Sequence, residues 1–172
     1  VIANLAVIAI ATTNSVLAQQ KSSACGLLQV AELEAAIGGK VSTQPSGSAQ
    51  NASGMALDEC SLVLSGPGRT HVHPVSIRVV KDLPMDAGDA IKVRNAGTAS
   101  EQQWKVKGAR LEQATVGGAT CILAGRPDVA SHTTCSIPRG TGYVEVEVVG
   151  SVEELPPMDT VGKLVQKANS RL

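Results

Sequence analysis

With one Trp, one Tyr and no Phe in 172 residues, this chain cannot build its core around aromatic rings. The core must come from Val, Leu, Ile and Ala. A domain of this size buries roughly two-thirds of its unfolded surface, so small apolar side chains suffice. Hydrophobic residues make up 43% and charged residues 17%, which fits a folded globular chain and not a disordered one. The scarcity of rings also excludes base-stacking platforms and aromatic cages, which need several flat faces. Lys+Arg and Asp+Glu both number 15, so no basic footprint for nucleic acid exists.

The first eleven residues, VIANLAVIAIA, are almost all apolar, and Thr12-Thr13-Asn14-Ser15 then turns polar. This is the pattern of a secretory signal peptide over residues 1–18, with Val16 and Ala18 as the small residues before the cut. Because the chain starts with Val, a basic leader ahead of it is expected. The competing reading, a membrane anchor, needs about 20 apolar residues, and this run is shorter. Residues 19–172 then form a single exported domain, periplasmic or extracellular.

Cys25, Cys60, Cys121 and Cys135 are an even set in an exported chain, where disulfides are the default. Four cysteines allow three pairings. Sequence order favours Cys25–Cys60 with Cys121–Cys135, each stabilising by about 3–4 kcal/mol in the chain-entropy model. No pair has the Cys-x-x-Cys spacing of structural zinc. Ser22-Ser23-Ala24-Cys25 faintly matches a lipoprotein box, but Lys21 intrudes and lipidation would leave an odd cysteine.

Periodicity gives the elements. Leu27–Ile37 has helical spacing and stops at Gly38-Gly39. Residues 42–54, STQPSGSAQNASG, read as a polar, disordered loop. Leu57–Ser65 and Val75–Val80 read as a hairpin around Gly66-Pro67-Gly68. Asp86–Asn95 is a thinly apolar helix. Trp104–Leu111, Thr120–Leu123, Thr133–Ile137 and Tyr143–Val149 are strands, the last with Val144, Val146 and Val148 inward and Glu145 and Glu147 outward. The final helix carries Met158, Val161, Leu164, Val165, Ala168 and Leu172 on one face and Lys163, Lys167 and Arg171 on the other. The order of a cysteine strand, a valine-rich strand and a helix occurs twice. The expected fold is therefore α+β: an antiparallel sheet with helices packed on one face, two similar halves and two disulfides.

The stretch Ala24-Cys25-Gly26-Leu27-Leu28 through Glu32, Glu34 and Gly38, with Asp58-Glu59-Cys60 after it, resembles the opening of exported bacterial domains of unknown function. These are secreted proteins and lipoproteins of actinobacterial type, with a Cys-x-Leu-Leu helix ending at Gly. The resemblance covers residues 24–65, although Thr is common where this chain has Gln29. It implies an envelope α+β domain with a Cys25–Cys60 bridge, and no activity.

Of the chemistry-bearing residues, His71-Val72-His73 carries the sharpest hypothesis. Residues two apart on a strand share a face, so both imidazoles could grip one Cu or Zn ion, with His132 as a third ligand if the fold brings it near. The bland reading is an exposed loop between Gly-Pro-Gly and Pro74. A Ser–His–Asp set can be assembled on paper from His132 and Asp128, but no Gly-x-Ser-x-Gly elbow accompanies it. The glycine pairs match no phosphate loop and read as turns. The sequence thus points to a binding domain without catalytic residues or cofactor, whose partner is an envelope protein or a small ligand, and not nucleic acid. The membrane would be touched only through the signal peptide or a lipid. The alternatives are a small metal-binding protein using His71 and His73, and an exported hydrolase without a recognisable motif.

Overall fold

The computed structural model describes residues 23–52, 54–65, 72–100 and 105–172. The expected signal peptide, the Gly66-Pro67-Gly68 turn, His71 and Trp104 lie outside the described residues. A 3-10 turn, Ser23–Gly26, leads into α1 (Val30–Ile37), β1 (Lys40–Val41), β2 (Ser46–Ala52), β3 (Met55–Ser65) and β4 (His73–Lys81). Then follow α2 (Ala87–Ser100), β5 (Arg110–Val116), β6 (Ala119–Arg126), β7 (Val129–Arg139), β8 (Gly142–Gly150) and α3 (Met158–Asn169).

The eight strands form one sheet in the order β1-β3-β4-β8-β7-β6-β5, with β2 continuing β1 along the outer side of β3. The strand pairs are antiparallel. The α+β architecture and both disulfides, Cys25–Cys60 and Cys121–Cys135, are therefore as expected. Cys25 is bridged, which leaves no thiol there for a lipid.

Register explains the core. Cys60, Ile77, Val146, Cys135 and Cys121 lie opposite one another in turn, forming a row across five strands. Alternation places Leu62, Val75, Val144 and Val148 on the same face, and all are buried. Val161, Leu164, Val165 and Ala168 of α3 pack onto this face, joined by Leu27, Leu28, Leu33 and Ile37 from the N-terminal turn and α1. Each fully buried Val, Leu or Ile among these contributes about 1.5–3 kcal/mol. Leu172, expected on the apolar stripe, stands past the helix end and is 40% exposed.

One part of the expected layering is corrected. Helices α1 and α3 share the apolar face, but α2 packs on the other. Its Arg94 donates to Ser136 Oγ at 2.9 Å and pairs with Glu145, which lies on the face opposite Val144 and Val146. Glu145, expected to point outward into solvent, is only 3% exposed beneath α2. Its carboxylate is met by a cluster of partners. Arg78 meets Glu59 at 2.9 Å, Glu145 at 3.0 Å and Glu147 at 2.7 Å, and Ser136 Oγ donates to Glu145 at 2.9 Å. Burial alone would lower the Arg78 pKa, but Glu147 and Glu59 outweigh it and hold the guanidinium above its ordinary value.

The two halves agree in their strands: β2-β3-β4 and β6-β7-β8 are three-stranded meanders that meet along β4 and β8. They differ in the helices that follow, which go to opposite faces. Several element boundaries also move, α1 starting at Val30 instead of Leu27. Residues 46–52, read as disordered loop, form β2 by pairing with β3 from Ser46↔Ser61 to Ala52↔Met55. The strand read at Trp104–Leu111 begins only at Arg110, after a turn through residues 105–108. Helix α2 runs five residues beyond Asn95. The β5–β6 hairpin turns at Gly117-Gly118, with φ 53° and 85°, the double positive φ that a two-residue hairpin loop demands.

Candidate binding groove

The candidate site lies at the end of the sheet where β4 begins, β8 ends and β6 turns into β7. Strand β4 starts with His73-Pro74. Proline lacks the ladder donor, so it sits near a strand start, opposite Val63. His73 points to the apolar face with Val75 and Ile77 and is completely buried. The expectation of an exposed loop is thus wrong for His73: the pairing Leu64↔His73 draws it into the sheet. His71 lies outside the described residues.

The buried imidazole is held through Nδ1. Its Nδ1 lies 3.1 Å from the Val149 carbonyl, and because a carbonyl only accepts, Nδ1 carries the proton. Nε2 faces Glu154 Oε2 at 3.4 Å. The ring fits because residue 150 is glycine: a Cβ there would stand 2.4 Å from Nδ1 and 2.6 Å from Cε1. The loop after β8 closes over the same end, with Val152, Leu155 and Pro156 buried and Thr133 Oγ1 donating to the Pro156 carbonyl at 3.0 Å.

His132 does not join His73. It pairs in register with Val149 and shares the face of Thr134 and Ser136, whereas His73 shares the face of Val75. The two imidazoles are on opposite sides of the sheet. Among the described residues no group of three His, Cys, Asp or Glu side chains gathers as metal ligands. Asp128, the paper partner of His132 in a hydrolytic set, is bound by Arg126 through Nε at 2.8 Å and through Nη2. That guanidinium holds the Asp128 carboxyl below its ordinary pKa.

Outside the His73–Glu154 contact runs an open groove of about 730 Å³. Its apolar walls are Val72, Pro74, Pro127, Val129, Ala130 and Val149, and its acidic rim is Asp128, Glu153 and Glu154. Val72 and Val129 are 56% and 49% exposed, so two large apolar side chains left open to water meet in one depression. Among the described residues, no Lys or Arg lines it. Its size is that of a small-ligand site. Sequence reading missed this groove, because its walls come from three separate connections.

A second depression separates α1 from α3, lined by Ala31, Ala35, Ala36, Thr160, Lys163 and Leu164. Its charged edge is an internal clasp. Glu32 accepts from Lys167 Nζ at 2.6 Å and from Arg171 at 2.6 and 2.7 Å. Arg171 first, then Lys167, hold the Glu32 carboxyl far below the usual carboxylate range. The basic row of α3 is thus partly spent on the protein itself, and Lys163 is not in the clasp.

No protein-family model, no curated protein and no solved structure matches the chain.

Proposed function

We propose that this chain is an exported, non-catalytic binding domain whose groove takes a small ligand, or a segment of a partner, with an apolar body and a cationic end. The observation that carries the reading is the pairing of open apolar walls with an acidic rim. Val72 and Val129 are exposed, and burying them on a ligand is favourable. Asp128, Glu153 and Glu154 put three carboxylates on the rim, a charge that favours a cation. Two disulfides suit an oxidising compartment, and among the described residues no helix is long and apolar enough to cross a membrane. Both are compatible with export. The opening resemblance to exported actinobacterial-type domains points the same way.

The test is a nitrogen–proton NMR titration with octylammonium and octanoate, which share an apolar body and differ in the charge of the head. Octylammonium should shift the amides of Val129, Ala130, Val149, Gly150 and Ser151, and octanoate should do so much more weakly. Glu153→Gln with Glu154→Gln should erase the preference. Equal response to both probes, or shifts elsewhere, refutes the reading.

A further inference from the structure

His73 Nε2 is buried and has no hydrogen-bond partner among the described residues. It faces Glu154 Oε2, also buried, at 3.4 Å. The ring's other nitrogen already holds a proton for the Val149 carbonyl. A neutral ring therefore turns the lone pair of Nε2 toward the carboxylate, and two acceptors oppose one another. One proton added between them makes the contact a charge-assisted hydrogen bond. The contact thus has two states that differ by a single proton, and the proton is the only species that must reach this buried atom.

Glu154 connects the contact to the groove. Its Oε2 meets the ring beneath the rim, while its side chain is 29% exposed and lines the groove. The ring is held by the Val149 carbonyl and packed on Gly150, so Glu154 and its loop are the side that responds. Other charged groups at this end of the sheet come from three elements. The loop after β8 also places Glu153 on the rim. The β6–β7 turn supplies Asp128, bound by Arg126 Nε at 2.8 Å. Helix α1 supplies Glu34, engaged by Lys40 Nζ at 2.7 Å and Val41 N at 3.0 Å, where Val41 pairs with Leu64. Strands β3 and β8 meet His73 with Leu64, Val149 and Gly150, which carry no charge.

We propose that His73 is a proton-linked switch for the groove: with the ring neutral the groove holds a cationic ligand, and a proton on Nε2 takes Glu154 into an ion pair and releases that ligand. This rests on the binding reading above and adds its regulation. With the ring neutral, Glu154 lends its whole charge to the rim; with the ring charged, that charge is cancelled from below. Imidazole is the side chain whose charge ordinarily changes between about pH 5 and 8. Linkage makes the effect reciprocal, so a bound cation expels the proton. Capture is favoured at neutral pH and release in a mildly acidic medium.

The experiment is an NMR titration of the whole disulfide-bonded chain from about pH 8 to 5, without ligand and with octylammonium, which stays a cation throughout. The imidazole nitrogen shifts report the ring's proton, and the signals missing in His73→Asn assign it. Without ligand, Nε2 should gain a proton in this range, and the amides of Ser151, Glu153 and Glu154 should shift with the same midpoint. Octylammonium should bind about tenfold more weakly at about pH 5.5 than at pH 8, and binding near that midpoint should release a proton, read calorimetrically as a heat that depends on the buffer. His73→Asn keeps a donor for the Val149 carbonyl and should make the affinity independent of pH. Should that variant fail to fold, Glu154→Gln serves on the exposed side of the contact and should likewise abolish the tenfold change. A ring that stays in one protonation state, or loop amides that ignore its titration, overturns the switch even where octylammonium binds. Equal affinity at the two pH values overturns it as well. Loop amides that follow the ring while octylammonium binds at neither pH refute the binding reading, and the proton-driven movement of Glu154 stands.

Discussion

Placing a methyl group at position 150 should loosen the end of the sheet that carries the groove. The Cβ of Gly150→Ala would stand 2.4 Å from His73 Nδ1 and 2.6 Å from Cε1. Ordinary contact is 3.4 Å or more, so the ring or the strand must move by about 1 Å. The ring has little room to yield: it is fully buried, with Val149 O at 3.1 Å and Glu154 at 3.4 Å. Overpacking of this kind costs about 1–3 kcal/mol, and losing the His73–Val149 hydrogen bond adds about 1 kcal/mol. Gly150→Ala should therefore destabilise by about 2–4 kcal/mol, lowering the urea midpoint by about 1–2 M. The cause can be isolated with a double-mutant cycle. His73→Ala alone should cost about 2–4 kcal/mol through the cavity and the orphaned carbonyl. With the imidazole gone, the added methyl should cost less than about 1 kcal/mol, giving a coupling of about 1 kcal/mol or more. A Gly150→Ala variant as stable as the wild type, or purely additive costs, would refute the packing argument.

Three further outcomes follow from the same structure. Gly97 lies exposed in α2, without a positive φ, and a Cβ there would meet nothing within 4 Å, so Gly97→Ala should raise stability by about 0.5–1 kcal/mol, read by thermal or urea unfolding. Arg78→Met leaves Glu59, Glu145 and Glu147 with less compensation, Glu145 being nearly buried, and should cost about 3 kcal/mol in urea unfolding at pH 7. Glu32 has its pKa lowered by Arg171 and Lys167, so the clasp's contribution is present above the unfolded value and lost as pH falls toward the folded one. The difference in urea midpoint between wild type and Glu32→Gln should hold from pH 7 down to about 4.3 and shrink only below it.

The parts of the fold legible in sequence were those with a strong apolar period. Val144, Val146 and Val148 on β8 and Val161, Leu164, Val165 and Ala168 on α3 lie where their spacing put them. Cysteine order also sufficed for both bridges, because Cys121 and Cys135 fall opposite each other on adjacent strands. Strand β2 was not legible. Ser46–Ala52 has no apolar face, and its conformation comes from the ladder with β3 rather than from its own side chains. Strand β5 is similarly polar because it lies at an edge, and the alternation of Trp104 and Val106 drew the strand reading too early. The position of α2 could not be read either. Glu145 and Glu147 look like solvent residues until Arg78 and Arg94 arrive from β4 and α2. His73 was masked by its neighbours: a Pro and a Gly-Pro-Gly segment suggest a loop, while the ladder with Leu64 makes it core. The groove combines single residues from β4, the β6–β7 turn and the loop after β8, and no local pattern marks it.

The most direct test of the binding-domain reading is native mass spectrometry of untagged protein taken from its own host, beside a Val149→Asp variant. Val149 is half-buried on the groove wall, so the change spoils the apolar surface while His73 keeps its backbone carbonyl partner. The account predicts a wild-type mass four hydrogens below that of the reduced chain, for two disulfides, plus a cationic organic adduct that the variant lacks. Four free thiols, or an adduct that survives Val149→Asp unchanged, would contradict it.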